Sequence, residues 1–234
     1  MRGFAAICAG ALALLVGCGS GQPEGSSKVL SGTLRGLIAN RDAPPPPKIT
    51  ATRAQLAAAG LAAQPLLIVR MPTIESESGF FLLNTVDGTQ VWQSGDNKAT
   101  LQIRTSGVVV SSTGLGFDLY GADTAPLEAA FQSGEGGSYG RRYRHLARDL
   151  TSLHRRLVYC TLEPQGRETV VVFERSHVTE AYVERCAADE PHPDGTPFAF
   201  ENRYWVGVAD SIPWVSEQWM SQDLGVIRTE RVFK

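Results

Sequence analysis

The sequence has few of the side chains that most often bind metal ions. Among 234 residues there are four histidines and four cysteines. The histidines are His145, His154, His177 and His192. None of them shares a metal-ligand spacing with another histidine or with a cysteine. We therefore expect no metal site, and no motif in the chain predicts a cofactor.

The chain also lacks a strong net charge. Its formal net charge is −2 and its isoelectric point is near 6.1, so we exclude nucleic acid as a partner. Hydrophobic residues at 43% and charged residues at 20% are ordinary for a globular protein. The local exception is a basic cluster of Arg141, Arg142, Arg144, Arg155 and Arg156. This cluster is either the solvated face of a hairpin or a contact for anionic polysaccharide or lipid headgroups.

No stretch of the sequence is long and apolar enough to span a membrane as a mature helix. The clearest apolar run, Phe4 to Val16, follows Arg2 and ends in Gly17-Cys18. A positive start, a short apolar segment and a small residue before a cysteine are typical of a lipoprotein signal peptide. We predict cleavage before Cys18 and acylation of its thiol, for example with palmitate. The alternative is an ordinary secretory signal in which Cys18 is incidental.

These signals divide the chain into three parts. We assign residues 1–17 to the signal peptide, 18–50 to a lipidated tether rich in Gly, Ser and Pro, and 51–234 to a single β-rich domain. Several acyl chains would hold such a domain at a membrane without a spanning helix.

Two cysteines remain in the predicted domain. Cys8 would leave with the signal peptide and Cys18 would carry lipid, which leaves Cys160 and Cys186. Because envelope proteins fold in an oxidising compartment, we predict a disulfide between them. The alternatives are two free thiols or half of a metal site.

From Pro65 onward the sequence has the texture of β structure. Short runs rich in Val, Ile, Thr and aromatic residues are separated by turn residues. The predicted strands are 66–71, 79–86, 89–93, 99–105, 108–112, 141–145, 154–162, 168–175, 178–185, 200–206, 214–219 and 226–232. Tight turns are predicted at Asp87-Gly88, Gly95-Asp96 and Gln165-Gly166.

Two short helices are predicted in the domain. One covers Thr52 to Ala59, with Thr52 as the N-cap and Gly60 as the stop, and the other covers Ala125 to Gln132. Strands do not alternate with long helices. We therefore predict a mainly β fold, in which a large antiparallel sheet curls into a partial barrel with a few short helices.

Two sets of residues are candidates for ligand binding. The first lies between a predicted strand and a predicted helix and consists of Gly114, Gly116, Asp118 and Asp123. The glycines permit close backbone approach, and an aspartate can bind a ligand hydroxyl. The alternative is a bulged strand that leads into a helix.

The second set consists of Arg203, Tyr204, Trp205 and Trp219. Aromatic rings stack on the apolar faces of sugars, and arginine hydrogen-bonds to hydroxyls, so these side chains can form a sugar platform. The alternative is a hydrophobic core, because aromatic side chains are the largest apolar contributors in a sheet.

One catalytic motif matches in letters only. Residues 136–140 fit G-x-S-x-G with Ser138 as the nucleophile. A nucleophile elbow needs a strand before the serine and a helix after it, and the predicted elements come in the wrong order. We interpret the segment as a glycine-rich surface loop and assign no catalytic residue.

Taken together, several segments resemble the YjbF family, the group 4 capsule polysaccharide lipoproteins of the GfcB type. The segments that carry the resemblance are Gly17-Cys18, the proline-rich tether, the helix at Thr52 to Ala59, the Thr113 to Leu119 segment with Asp123, Tyr159-Cys160, Cys186, Asn202 to Trp205, and Gln218-Trp219 with Gly225. The stretch from Ala188 to Pro197 departs from the family pattern and looks like a lengthened loop.

The resemblance implies an outer-membrane lipoprotein of capsule or exopolysaccharide export with a largely antiparallel β domain. It carries over no catalytic residue. Gly19 after the lipidated cysteine is compatible with sorting to the outer membrane, so the expected location is its periplasmic face.

Three functions follow from these observations. The first is an accessory lipoprotein, not an enzyme, that binds glycan or proteins of the export machinery. The second is a polysaccharide-modifying enzyme, such as a hydrolase or esterase, with Asp118 and Asp123 as an acid/base pair. The third is a periplasmic carrier that holds a lipid or glycan in the concave face of the sheet.

Overall fold

The computed structural model describes residues 48–116, 118–146, 153–192 and 195–234. The predicted signal peptide, Cys18 and nearly all of the tether lie outside the described residues. The described helices are α1 (Arg53–Ala58) and α2 (Ala125–Ser133), with 3₁₀ turns at Leu61–Ala63 and Pro72–Ile74. The described strands are β1 (Leu66–Met71), β2 (Ser76–Val86), β3 (Thr89–Ser94), β4 (Thr100–Arg104), β5 (Val109–Thr113), β6 (Leu119–Ala122), β7 (Gly137–Leu146), β8 (Leu153–Val172), β9 (Arg175–Ala187), β10 (Ala199–Gly207), β11 (Pro213–Ser221) and β12 (Gly225–Phe233).

All twelve strands belong to one sheet in the order β5-β4-β3-β2-β1-β12-β11-β10-β9-β8-β7-β6. Every neighbouring pair is antiparallel, and strand twist curls a sheet of this size. The edge strands β5 and β6 are joined by a hydrogen bond from backbone to side chain, in which Leu119 N donates to Ser112 Oγ at 3.0 Å. The predicted fold class, a mainly β curled antiparallel sheet with a few short helices, is confirmed.

The concave face of the sheet is filled by the main hydrophobic core, which includes Trp92, Leu101, Tyr143, Val158 and Met220. Its members come from strands all around the sheet, so the core holds the curl closed. Burial at about 25 cal/mol per Å² of apolar surface is the main source of stability for such a fold.

The two helices cover separate smaller clusters. Thr52 caps α1, as the sequence predicted, in a capping box with Gln55. Leu56 packs on the outside of β1. Helix α2 ends at Gly134, which has φ 70°, and its Leu127 packs with Tyr204.

One turn prediction was wrong, and one strand was not predicted. The turn at Gln165-Gly166 is a bulge inside β8, which runs unbroken from Leu153 to Val172. The hairpin instead turns at Phe173-Glu174, where both residues have positive φ values of 44° and 66°. The Phe173 ring packs against two hydrophobic clusters, and this packing outweighs poor local turn chemistry. Strand β6 was not predicted because it has only four residues.

The predicted disulfide between Cys160 and Cys186 is confirmed. The two residues are direct partners on β8 and β9, with their Cα atoms 4.1 Å apart. Glu184 lies beside both sulfur atoms, but the cysteines are bonded to each other and offer no thiolate to a metal ion.

Candidate functional site: an arginine groove on the outer face

A buried carboxylate, that of Glu184, organises the inner face of strands β7, β9 and β10. Its side chain is 0% exposed and accepts four hydrogen bonds. The donors are Tyr139 Oη at 3.0 Å, Arg141 Nη1 at 2.6 Å, Asn202 Nδ2 at 2.6 Å and Tyr204 Oη at 3.1 Å. A buried charge is tolerated only when it is paired and hydrogen-bonded, and this carboxylate is both.

The electrostatics of this network follow from burial. Desolvation alone would lower the pKa of Arg141, but its interactions with Tyr143 and Glu184 outweigh that cost and raise the pKa above the ordinary arginine value. Burial, and then the Glu184 charge, raise the pKa of Tyr204 well above its ordinary value. Both groups therefore keep their protons at physiological pH.

The structure separates the second set of candidate residues. Tyr204 is fully buried in the Glu184 network. Trp219 is half-buried, and its ring stacks on Phe200 with centroids 4.7 Å apart and meets Tyr143 edge to face. These two rings belong to the interior of the sheet, where they contact other rings.

Arg203 and Trp205 lie on the opposite, outer face of β10. Trp205 Nε1 donates to Glu168 Oε2 at 2.8 Å, and Arg203 Nε lies 2.7 Å from Glu201 Oε1. They line a small cavity of about 180 Å³ together with Arg185, which also pairs with Glu201. The arginines of this cavity therefore already have carboxylate partners.

The first set of candidate residues is also divided. Asp118 accepts hydrogen bonds from Ser112 Oγ, Gly114 N and Leu115 N, so its carboxylate ties together the loop that joins the edge strands. Gly114 has φ 82°, and a Cβ atom there would lie 2.1 Å from the carbonyl oxygen of Lys98. Gly116 also has a positive φ, of 96°. The loop needs glycine for its shape.

Asp123 lies at the other end of β6, beside the basic cluster. A groove of about 610 Å³ opens here on the outer face of β7 and β8. We call it the arginine groove, and it is lined by Ala122, Asp123, Arg142, Tyr143, Arg144, Arg155, Arg156 and Leu157.

Three arginines of this groove differ from Arg141, Arg185 and Arg203, which have carboxylate partners. Arg142, Arg144 and Arg155 are exposed, and within the described ranges none of them has a carboxylate within ion-pair distance. Arg144 and Arg155 are direct partners across β7 and β8. Like charges placed directly opposite in a sheet repel each other, so this arrangement costs stability.

Glycines let the groove side chains lie flat on the sheet. A Cβ atom at Gly121 would lie 2.7 Å from Arg144 Nη2, so the guanidinium occupies the space that a side chain would need. A Cβ atom at Gly140 would lie 3.5 Å from Leu157 and 3.9 Å from the ring of Tyr159. Leu157 and Tyr159 are 45% and 55% exposed and continue the row that begins at Arg155.

A larger cavity of about 900 Å³ lies under α2. Its walls carry the Arg104–Glu128 ion pair, at 3.1 Å, and a second acid, Glu180. Ser138, the residue of the G-x-S-x-G motif, lies on β7 with its hydroxyl 3.2 Å from that of Thr161. It is therefore part of a strand and not of a strand-to-helix turn, and the interpretation of this segment as a surface loop was wrong from Gly137 onward.

Sequence reasoning located the basic cluster but not its shape. It grouped Arg141 with Arg142 and Arg144, although Arg141 points inward. It missed Leu157 and Tyr159 as exposed apolar neighbours. Their alternation with the buried Val158 and Cys160 was the available signal.

No described helix is long and apolar enough to cross a membrane. The sequence matches a family described as "Group 4 capsule polysaccharide lipoprotein gfcB, YjbF" over residues 32–232. No curated protein matches it.

Two solved structures are similar to this chain. The hypothetical lipoprotein YmcC from Escherichia coli K12 has a TM-score of 0.66 at 16% identity, with 80% of this chain and 90% of that chain covered. At this identity the likeness shows the fold alone. A putative lipoprotein from Parabacteroides distasonis covers 72% of this chain and 92% of its own at 8% identity, with a TM-score of 0.33.

Proposed function

Because the chain belongs to the YjbF family of group 4 capsule polysaccharide lipoproteins, we propose that it is an accessory lipoprotein of capsule or exopolysaccharide production or export. Its domain binds the glycan chain and positions it, and the arginine groove is the binding surface. Proteins of the export machinery are the alternative ligands of the same domain.

The anchoring part of the proposal rests on Cys18. Acylation of this thiol would fasten residues 18–50 as a tether to the periplasmic face of the outer membrane and leave 51–234 as the binding domain. Mass spectrometry of the N-terminal peptide from the native host would detect the acyl chains. The Cys18→Ser variant should move from the membrane fraction to the soluble fraction, and its retention in the membrane would contradict the anchor.

The observation that carries the glycan part is the set of arginines without carboxylate partners among the described residues. Arg142, Arg144 and Arg155 present guanidinium groups in an open groove, next to the exposed Leu157 and Tyr159. Guanidinium groups bind hydroxyl and carboxylate oxygens, and an exposed aromatic ring stacks on a sugar face. The residues suit an extended polar ligand that also has apolar faces.

The alternative functions have less support in the geometry. An acid/base pair of Asp118 and Asp123 would need both carboxylates at one bond, but they lie at opposite ends of β6, and Asp118 is engaged by its own loop. A carrier would need an open concave face. In the described part of the chain that face is occupied by the main core.

A deletion strain tests the proposed function. Loss of the gene should lower the amount of polysaccharide on the cell surface, and the wild-type gene should restore it. The purified full-length lipoprotein should bind polysaccharide from its own host in affinity electrophoresis without changing the length of the polymer. Unchanged surface polysaccharide in the deletion strain would overturn the proposal, and shortened polymer would favour the enzyme.

A further inference from the structure

We propose that the arginine groove selects acidic glycans and that Arg144 and Arg155 together hold a sugar carboxylate. This inference rests on the proposed function, because it names the class of sugar that the same site binds. It concerns the charge of the ligand, whereas the proposed function requires only that a glycan be bound.

The pairing of β7 with β8 brings two arginines together. Arg144 on β7 and Arg155 on β8 are direct cross-strand partners, and side chains at such positions have Cβ atoms about 5 Å apart. Both side chains are exposed on the outer face of the sheet. A carboxylate placed between two guanidinium groups would accept charge-assisted hydrogen bonds from both and remove their repulsion.

The guanidinium group of Arg144 also has a defined position on the sheet. Its guanidinium lies over Gly121, at the place where a residue other than glycine at this position would put its Cβ atom. A flexible arginine that is seated in this way loses less conformational freedom when it binds. The groove therefore offers a positioned charge and not only a diffuse positive potential.

The arginine groove continues along β7 and β8 beyond the Arg144–Arg155 pair. Arg142 is two residues from Arg144 on the same face of β7, about 7 Å along the strand, and Leu157 lies opposite Arg142. Tyr159 continues the row on β8 beyond Leu157. One sugar at the arginine pair thus leaves room for the next sugars over the apolar end. This arrangement favours a chain over a single anion.

The two other cavities differ from the arginine groove in the pairing of their charged side chains. The arginines around Trp205 are paired with glutamates, and the cavity under α2 carries two glutamates for one arginine. Asp123 is the single acid that lines the arginine groove among the described residues. An acidic glycan would therefore be attracted to the arginine groove over the other two cavities.

The test uses the full-length protein in neutral detergent with polygalacturonate and with the same polymer after reduction of its carboxyl groups. We expect the acid form to bind and the reduced form to bind at least tenfold more weakly, with affinity for the acid form falling as salt rises. Arg144→Ala and Arg155→Ala should each weaken binding about tenfold to a hundredfold. Arg167→Ala, on the same strand as Arg155 but outside the groove, is the matched control and should change nothing.

Gly121→Ala separates a positioned charge from general electrostatics. The variant keeps the net charge but pushes the Arg144 guanidinium from its seat, so binding should weaken severalfold while circular dichroism stays unchanged. Full affinity in Gly121→Ala, or an equal loss in Arg167→Ala, would overturn the inference.

The remaining outcomes separate a failure of this inference from a failure of the proposed function. Equal binding of the reduced polymer would overturn selectivity for acid and leave the glycan-binding function intact. Binding of the Cys18→Ser variant to vesicles of phosphatidylcholine with phosphatidylglycerol, but not to polygalacturonate, would overturn the inference in favour of a lipid surface. Absence of binding to any polysaccharide, that of the host included, would remove the proposed function itself.

Discussion

Arginine side chains on the two faces of β7 differ in burial and in charge pairing. Arg141 points inward, is 1% exposed and lies 2.6 Å from the buried Glu184 carboxylate. Arg142 and Arg144, its neighbours along the strand, point outward and are exposed, with no carboxylate partner in the described residues. One strand therefore carries a structural charge on its inner face and charges available to a ligand on its outer face.

Charge pairing distinguishes a structural arginine from one that is available to a ligand in this fold. A buried charge must have a partner, so the Arg141–Glu184 pair indicates folding and not binding. An exposed arginine needs no partner to be stable, but two of them placed opposite each other have a cost that a ligand can offset. The proposed site is thus defined by exposed arginines that have no carboxylate partner in the part of the chain that the structure describes.

The largest expected effect comes from breaking the inner pair. Glu184→Gln should lower the free energy of unfolding by about 3–5 kcal/mol, because it leaves the Arg141 charge buried without a counter-charge. Denaturant unfolding of the oxidised protein measures the loss. Glu163→Gln removes a carboxylate from the exposed pair with Arg185 and should cost less than about 1 kcal/mol. Equal losses in the two variants would contradict the division between the faces.

The next effect concerns the disulfide that lies beside Glu184. Replacing both Cys160 and Cys186 by alanine should lower the free energy of unfolding by about 3–4 kcal/mol, since the bond closes a 26-residue separation in the unfolded chain. Because the arginine groove is on the other face, binding of polygalacturonate at a temperature where the variant is folded should be unchanged. A loss of binding in the folded variant would show that the faces are coupled.

The sequence predicted the local features of this architecture better than the long-range ones. Asp87-Gly88 turns as expected because both residues tolerate positive φ, with values of 48° and 71°. The turn at Phe173-Glu174 has no such signal, since it depends on what the Phe173 ring contacts in the folded protein.

The candidate site shows the same limit. Tyr204 and Trp205 are adjacent on a strand and therefore fall on opposite faces of β10, but the sequence does not show that Tyr204 is on the buried face. The basic cluster was visible in the sequence, and strand alternation puts Arg141 and Arg142 on opposite faces, but the sequence does not show which face of β7 the core covers. Gly121 as the seat of Arg144 depends on the edge strand β6, which was not predicted.

A third arginine, Arg231, is buried without a carboxylate partner among the described residues. It contacts Gln90 Oε1 at 3.1 Å and lies over the Trp92 ring, and burial lowers its pKa to about 10. Arg231→Met should therefore leave the free energy of unfolding unchanged or raise it by about 1 kcal/mol at pH 7. A loss as large as that of Glu184→Gln would contradict the role we give to pairing.

The effect of Arg231→Met on the free energy of unfolding should change with pH in a definite direction. Below pH 10 both the folded and the unfolded wild type hold the Arg231 proton, so the cost of the buried charge is constant. Above pH 10, and up to the ordinary pKa of an arginine, the folded state loses the proton while the unfolded state keeps it, so this cost diminishes as pH rises. Any gain in the free energy of unfolding of Arg231→Met over the wild type, measured with denaturant, should shrink from pH 7 to pH 11. A gain that grows with pH would contradict the lowered pKa of Arg231.

The smallest effect on stability is expected on the outer face. Arg144→Ala removes one of two opposed positive charges and buries nothing new, so the free energy of unfolding should stay within about 0.5 kcal/mol of wild type and should rise if it changes. Arg167→Ala is the control, because Arg167 is exposed, has only a 3.9 Å contact with Glu180, and should be neutral. Unfolding at low and high salt checks the cause: the gain in Arg144→Ala should disappear when salt screens the repulsion. A clear loss of stability at either salt concentration would mean that Arg144 supports the fold, and the contrast between the two faces of β7 would fail.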